Sequence, residues 1–166
     1  MAVNAADPNW KEAFLHPKQA PGIVVQLAES HEPGARPSPA VGPTAELVYV
    51  GHALADLDGG LRLFEGLLGG HRIVHGSGPG YRWVDLAWPG PGRLRLFTPD
   101  GPGPLREWLG ARPGRLHHLA FSLAEPERVS SAVARDGHWL VQPSDNSGTR
   151  LVLYRGAALG SRPISF

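Results

Sequence analysis

The feature that most constrains this chain is a repeat. Residues 51–57 read G-H-A-L-A-D-L and residues 117–123 read H-H-L-A-F-S-L. Laid over one another, they place His52 on His118, and each is followed by an acidic, helix-like segment. A chain that states one pattern twice in this way is expected to fold as two like modules. In the second copy, G-R-L-H-H-L-A-F-S-L over 114–123, strand alternation puts His118, Ala120 and Ser122 on one face. Leu116, His117, Leu119, Phe121 and Leu123 go to the other face and the strand start.

The rest of the chain falls into place around these two strands. The first module, 45–100, opens with a strand over 46–54. A helix over 55–70 follows, with Asp56 or Asp58 as N-cap, an apolar stripe of Leu61, Phe64, Leu67 and Leu68, and Gly69-Gly70 as the stop. Strands over 71–75, 81–88 and 93–97 complete it, the last two joined by the turn P-G-P-G. A connector opens the second part, 101–166. It leads to a strand over 116–123, a helix over 126–136 with Val129 and Val133 inward, and strands over 138–142, 150–154 and 163–166. Each module thus has one helix and about four strands.

Upstream, residues 10–29 read as a hairpin around P-K-Q-A-P-G, and 30–44 as a Pro-rich linker. The hairpin sequence A-F-L-H-P-K-Q-A-P-G-I-V-V-Q-L echoes L-V-L-Y-R-G-A-A-L-G-S-R-P-I-S-F at the C-terminus and sets Gln26 beside Ser165. Residues 1–29 therefore read as the closing hairpin of a preceding module.

Composition narrows the class. The formal net charge is +1, which gives no support to a nucleic-acid partner. There are no cysteines, so disulfides and thiolate metal sites are excluded. No apolar run approaches the ~20 residues of a membrane helix, and the N-terminus has no basic-then-apolar signal pattern. A cytoplasmic location is the expectation. No Gly-rich loop follows a strand and opens a helix, so nucleotide binding has no support.

The pieces V-G-H-A-L-A-D-L-D with L-F-E-G-L-L-G-G, and then G-R-L-H-H-L-A-F-S-L, resemble the vicinal oxygen chelate superfamily. That superfamily includes glyoxalase I, methylmalonyl-CoA epimerase, bleomycin resistance proteins and extradiol dioxygenases. F-L-H-P-K-Q-A-P-G-I-V-V-Q-L resembles the closing hairpin of the epimerases. The resemblance implies an α+β fold in which paired βαβββ modules form a curved eight-stranded cup with helices outside. It also implies a divalent metal (Zn, Ni, Co or Fe) held by His, Glu or Gln, His, and Glu. Carried over, the histidines are His52 and His118. Arg95 and Ser165 fall on the second and fourth positions, where neither matches the pattern, and Gln26 is a further candidate.

Two functions follow from different classes. An intact site implies a metal-dependent lyase or isomerase that moves a proton on a carbonyl or acyl-CoA substrate. Arg95 opposes it: a guanidinium about 4 Å from a divalent ion costs roughly 8 kcal/mol at an effective dielectric of about 20. Either Arg95 points elsewhere, an acid arrives from another chain, or no metal binds. In the last case Arg95 and Arg93, on one face of their strand, together with Ser165, favour an anionic or aromatic small molecule held by sequestration. The resemblance further implies a homodimer. Glu12 and Glu29 are expected to face solvent, and His117 to point to the helix side as a structural residue. His16, His71, His75 and His138 are expected at strand ends or turns. Tyr81, Trp83 and Trp88 read as core or pocket lining.

Overall fold

The computed structural model of the chain describes residues 2–7, 10–30, 45–89 and 92–156. Three strands come first: β1 (Ala2–Asp7), β2 (Trp10–Leu15) and β3 (Val25–Ser30). They form a sheet of their own in the order β1-β2-β3. β2 and β3 are the expected hairpin, in register from Trp10↔Ser30 to Leu15↔Val25. β1 adds a third strand. Of the expected linker, residues 31–44 lie outside the described residues.

The first module runs β4 (Glu46–Leu54), α1 (Leu57–Leu61), β5 (His71–Gly78), β6 (Tyr81–Ala87) and β7 (Arg93–Pro99). Asp56 caps α1 by accepting the Gly59 N–H at 3.0 Å. The helix then widens into a π-turn over Arg62–Leu67, in which the Leu68 N–H reaches the Leu63 carbonyl. The wider turn breaks the expected stripe. Leu61 and Phe64 are buried, but Leu67 is carried outward and is 73% exposed. Gly69, at φ 70°, ends the turn.

The connector contains a helix that the sequence reading passed over, α2 (Pro104–Leu109). The second module is β8 (Gly114–Leu123), β9 (Val133–Arg135), β10 (His138–Val141) and β11 (Arg150–Arg155). Its expected helix over 126–136 is absent. Only a 3-10 turn at Pro126–Arg128 forms, and Val133 lies on β9, 64% exposed. The reason is local. Asp136 (φ 47°) and Gly137 (φ 83°) make an Asp-Gly hairpin turn that folds β9 back on β10. The strand expected over 163–166 lies outside the described residues.

The two modules join in one mixed sheet, β5-β6-β7-β4-β8-β11-β10-β9. The order reads the same from both edges: β4 matches β8, β7 matches β11, and so on outward. β7 runs parallel to β4, as β11 runs parallel to β8. The outer face carries α1 and its π-turn on a cluster of Leu54, Leu61, Phe64, Leu86, Leu94 and Leu96. At roughly 1.5–3 kcal/mol for each large side chain buried, this cluster is a main source of stability. The inner face of the first module buries Ala53, Tyr81, Trp83 and Phe97 under Leu105 and Leu109 of α2. The inner face of the second buries Ala120, Leu140, Val152 and Tyr154, with Tyr49 joining from β4. No helix among the described residues is long and apolar enough to cross a membrane.

Candidate functional site

The inner face is set by pairing between β4 and β8, and that pairing is irregular at two places. The register slips between Leu47 and Tyr49 and again between Gly51 and His52, where Gly51 pairs with His118 but His52 with Leu116. The second slip makes His117 the extra residue of a bulge, and bulges re-aim side chains. His117 consequently turns inward beside His118 rather than to the helix side. Its ring packs edge-on against Phe97, Trp108 and His118. His118 lies flat over Gly51, which has no side chain to block it.

His52 goes the other way. On β4 it alternates with Gly51 and Ala53 and shares the outer face with Val50 and Leu54. Its ring meets Phe64 on the outer face. Its Nε2–H donates to the Pro21 carbonyl at 2.8 Å, and Nδ1 has no partner among the described residues. Burial lowers the pKa of His52 against two backbone hydrogen bonds that raise it. The expected pairing of His52 with His118 is therefore not formed, because the two imidazoles face opposite sides of the sheet. The residue of β4 that faces inward beside His118 is Tyr49, whose ring meets His118 edge-on at 5.4 Å.

The same symmetry places the last two positions. R-L-R-L-F on β7 and R-L-V-L-Y on β11 occupy equivalent strands, so Arg95 corresponds to Val152 and Arg93 to Arg150. The fourth position thus falls on Val152 of β11. Ser165 lies outside the described residues. Gln26 is exposed and donates to Glu12 at 2.9 Å within the hairpin; it meets neither imidazole. Arg93 is half-buried and makes no hydrogen bond or ion pair among the described residues. His138 opens β10, as expected, and is buried there.

Arg95 faces inward as expected, but its charge is already matched. Its Nε and Nη2 hold Asp85 in a two-pronged grip at 2.6 and 2.8 Å. The guanidinium lies between the rings of Tyr49 and Trp83, 4.2 Å from each centroid. Both ends of this pair are almost wholly buried.

Hydrogen-bond chemistry fixes a direction through the rest. Arg150 can only donate, so its Nη1–H donates to His117 Nε2 at 2.8 Å. A neutral His117 then carries its proton on Nδ1 and donates to His118 Nδ1 at 2.8 Å. His118 in turn donates from Nε2 to the Tyr49 oxygen at 3.3 Å, which also receives Arg95 Nη1 at 3.4 Å. That leaves the Tyr49 O–H to donate to Tyr154 at 3.1 Å. The electrostatics agree. Burial first, and then Arg150, push His117 down to about 3. Burial drives His118 well below its ordinary value and Tyr49 well above its own.

This donor set does not fit a divalent metal. The four inward positions hold Tyr49, Arg95, His118 and Val152: one imidazole, a phenol kept neutral, a guanidinium and an alkyl group. Both nitrogens of His118 are engaged in the relay. No group of three or more His, Asp or Glu placed to hold a metal ion occurs among the described residues.

Two mirrored modules sharing one curved mixed sheet are the fold expected from the vicinal oxygen chelate resemblance. Solved structures bear this out at the level of fold. Methylmalonyl-CoA epimerase from Mycobacterium tuberculosis matches with a TM-score of 0.57 at 21% identity, covering 70% of this chain and 92% of that one. A variant of the Streptomyces coelicolor epimerase in complex with 2-nitronate-propionyl-CoA gives 0.59 at 20% identity, over 70% and 98%. A hypothetical protein from Bacillus halodurans gives 0.58 at 16%, over 74% and 99%. No protein-family model matches the sequence, and no curated protein matches it significantly.

Proposed function

We infer that this chain is a metal-independent small-molecule-binding protein on the vicinal oxygen chelate fold. The observation that carries this reading is the Arg95–Asp85 pair. It puts a fixed cation, already neutralised, at one of the positions from which a metal would be held. Among the described residues, proton transfer has no ready base in the same place. The His117 and His118 lone pairs each accept a hydrogen bond, and both Asp85 oxygens hold Arg95. Holding a ligand needs neither a metal nor a base. The bound group would meet the polar edge of the second module, since α2 covers Tyr81, Trp83 and Phe97 in the first.

The second reading is an isomerase of the epimerase kind, favoured by the fold shared with methylmalonyl-CoA epimerases. One experiment separates the two. The protein is incubated in deuterated buffer with a methylmalonyl thioester, with and without added Zn, Ni or Co, and exchange at the α-carbon is followed by mass spectrometry. The binding reading expects no exchange above background under any condition. Metal-dependent exchange that is lost in His118→Ala would establish the isomerase instead.

A further inference from the structure

Most arginines with an ordered partner here meet a carboxylate. Arg62, Arg72, Arg95, Arg128 and Arg155 pair with Asp56, Glu65, Asp85, Glu125 and Glu127. Arg150 differs. It is half-buried on the inner face, opposite His118, and its one hydrogen bond among the described residues is the Nη1–H donated to His117. Its Nε–H is buried with no acceptor. Its charged neighbour is another cation, Arg135 of β9, which lowers the Arg150 pKa together with burial. Arg115, stacked on Trp108 at 4.5 Å, adds positive potential at His117.

The Arg95–Asp85 grip shows what such a side chain is shaped to hold. Arg95 spends its Nε/Nη2 edge on two carboxylate oxygens. In Arg150 the Nη1 end is anchored by His117, so the guanidinium is oriented, and Nε–H has no acceptor among the described residues. An oriented guanidinium edge is complementary to a planar or tetrahedral oxyanion. Among the described residues no carboxylate pairs with Arg150, and the charged group that acts on it is the Arg135 guanidinium.

We propose that Arg150, backed by Arg135, is the recognition residue for the oxyanion group of a small-molecule ligand, a carboxylate or a phosphate, at the second module's end of the inner face. The proposal rests on the small-molecule-binding reading and names the ligand class and the residue that selects it. Of the two arginines at equivalent positions in the modules, Arg150 is the one anchored by an imidazole, so it and not Arg93 is the selective one.

The test titrates inorganic phosphate and, separately, malonate into full-length protein treated with a chelator. Binding is read from the 15N–1H signals of arginine side chains and by calorimetry. Wild type is expected to bind at least one probe, with the Arg150 Nε–H signal shifting. Arg150→Gln should weaken that binding by at least about tenfold. Arg150→Lys should recover only part of it, since an ammonium has charge but no fork. Arg93→Gln should bind as wild type does. Preference for phosphate or for malonate assigns the ligand's anionic group, and either supports the site. Failure of both probes to bind wild type at millimolar concentration overturns the proposal. So does equal binding by Arg150→Gln with an unchanged circular dichroism spectrum. Should Arg150→Gln unfold, the Arg150→Lys comparison and the wild-type Nε–H shift decide. Metal-dependent exchange in the preceding assay would defeat the broader reading without touching these titrations, so the two failures are distinguishable.

Discussion

The two modules share a strand plan but handle buried polarity in opposite ways. In the first, the inner face carries Arg95 and Asp85, and each satisfies the other between two aromatic rings. α2 then covers that half with Leu105 and Leu109. In the second, the positions equivalent to Arg95 and Asp85 are Val152 and Leu140, both apolar. The polar groups there sit toward the ends of the strands. Each module leaves two buried side-chain atoms without a partner among the described residues: His52 Nδ1 and Trp83 Nε1 in the first, His138 Nε2 and Arg150 Nε in the second. A buried polar group without a partner is costly, on the order of 1–3 kcal/mol. What separates the modules is the centre of the inner face, where the first holds a charged pair and the second an apolar one.

That contrast can be broken most forcefully at Asp85. Asp85→Ala strands a buried guanidinium and is expected to cost about 3–5 kcal/mol in urea unfolding. Leu140→Ala, its counterpart, should cost about 2–5 kcal/mol through a cavity alone. A double change of Arg95→Met with Asp85→Leu should regain most of the Asp85→Ala loss. If it does not, the pair is doing more than satisfying itself.

The N-terminal hairpin is the next lever. Its turn and the start of β3 meet the large sheet where β4 pairs with β8. Pro21 accepts from His52, and a side chain on Gly114 would collide with the Pro21 carbonyl. Ile23 and Val25 pack on the outer-face cluster. Gly114→Ala should therefore cost about 1–3 kcal/mol by overpacking. It should also raise hydrogen exchange at residues 20–23, while the second module's β10–β11 amides stay protected.

Acid sharpens the comparison further. His52, His117 and His118 are all held below the ordinary imidazole value near 6.5. The folded state therefore binds fewer protons than the unfolded chain once pH falls below about 6.5. The stability present above that pH is lost on acidification, by up to about 1.4 kcal/mol per pH unit for each such group. For His117 the loss continues down to about 3. Urea midpoints between pH 7 and 4 should drop steeply, and His117→Asn should reduce the slope. The smallest effect is expected at Tyr49→Phe. It removes the hydroxyl between His118 and Tyr154 and should cost about 1–2 kcal/mol, read as a lowered melting temperature.

Much of this fold was legible from residues. The repeat located both modules, and β4 begins and ends where periodicity placed it, Glu46–Leu54. The face assignment failed at His52 because alternation assumes regular pairing, and the slips at Val48 and His117 shift one strand against the other. The Asp85–Arg95 pair was within reach: counting back from the P-G-P-G turn pairs those two residues across β6 and β7. The Asp-Gly turn at 136–137 was also a strong hairpin signal, but the acidic segment before it read as a helix. α2 carries Pro104 at its start and Gly110 just past its end, a signature that six residues made easy to overlook. Partners of Arg150 were beyond sequence reasoning, since the inward turn of His117 depends on the bulge.

The account turns on whether the inner face holds a metal, and elemental mass spectrometry answers that most directly. Wild type, His118→Ala and His52→Ala would be purified without added metal, then dialysed against Zn, Ni or Co. The account predicts less than about a tenth of an equivalent in all three. Near one equivalent in wild type, kept in His52→Ala and lost in His118→Ala, would contradict it.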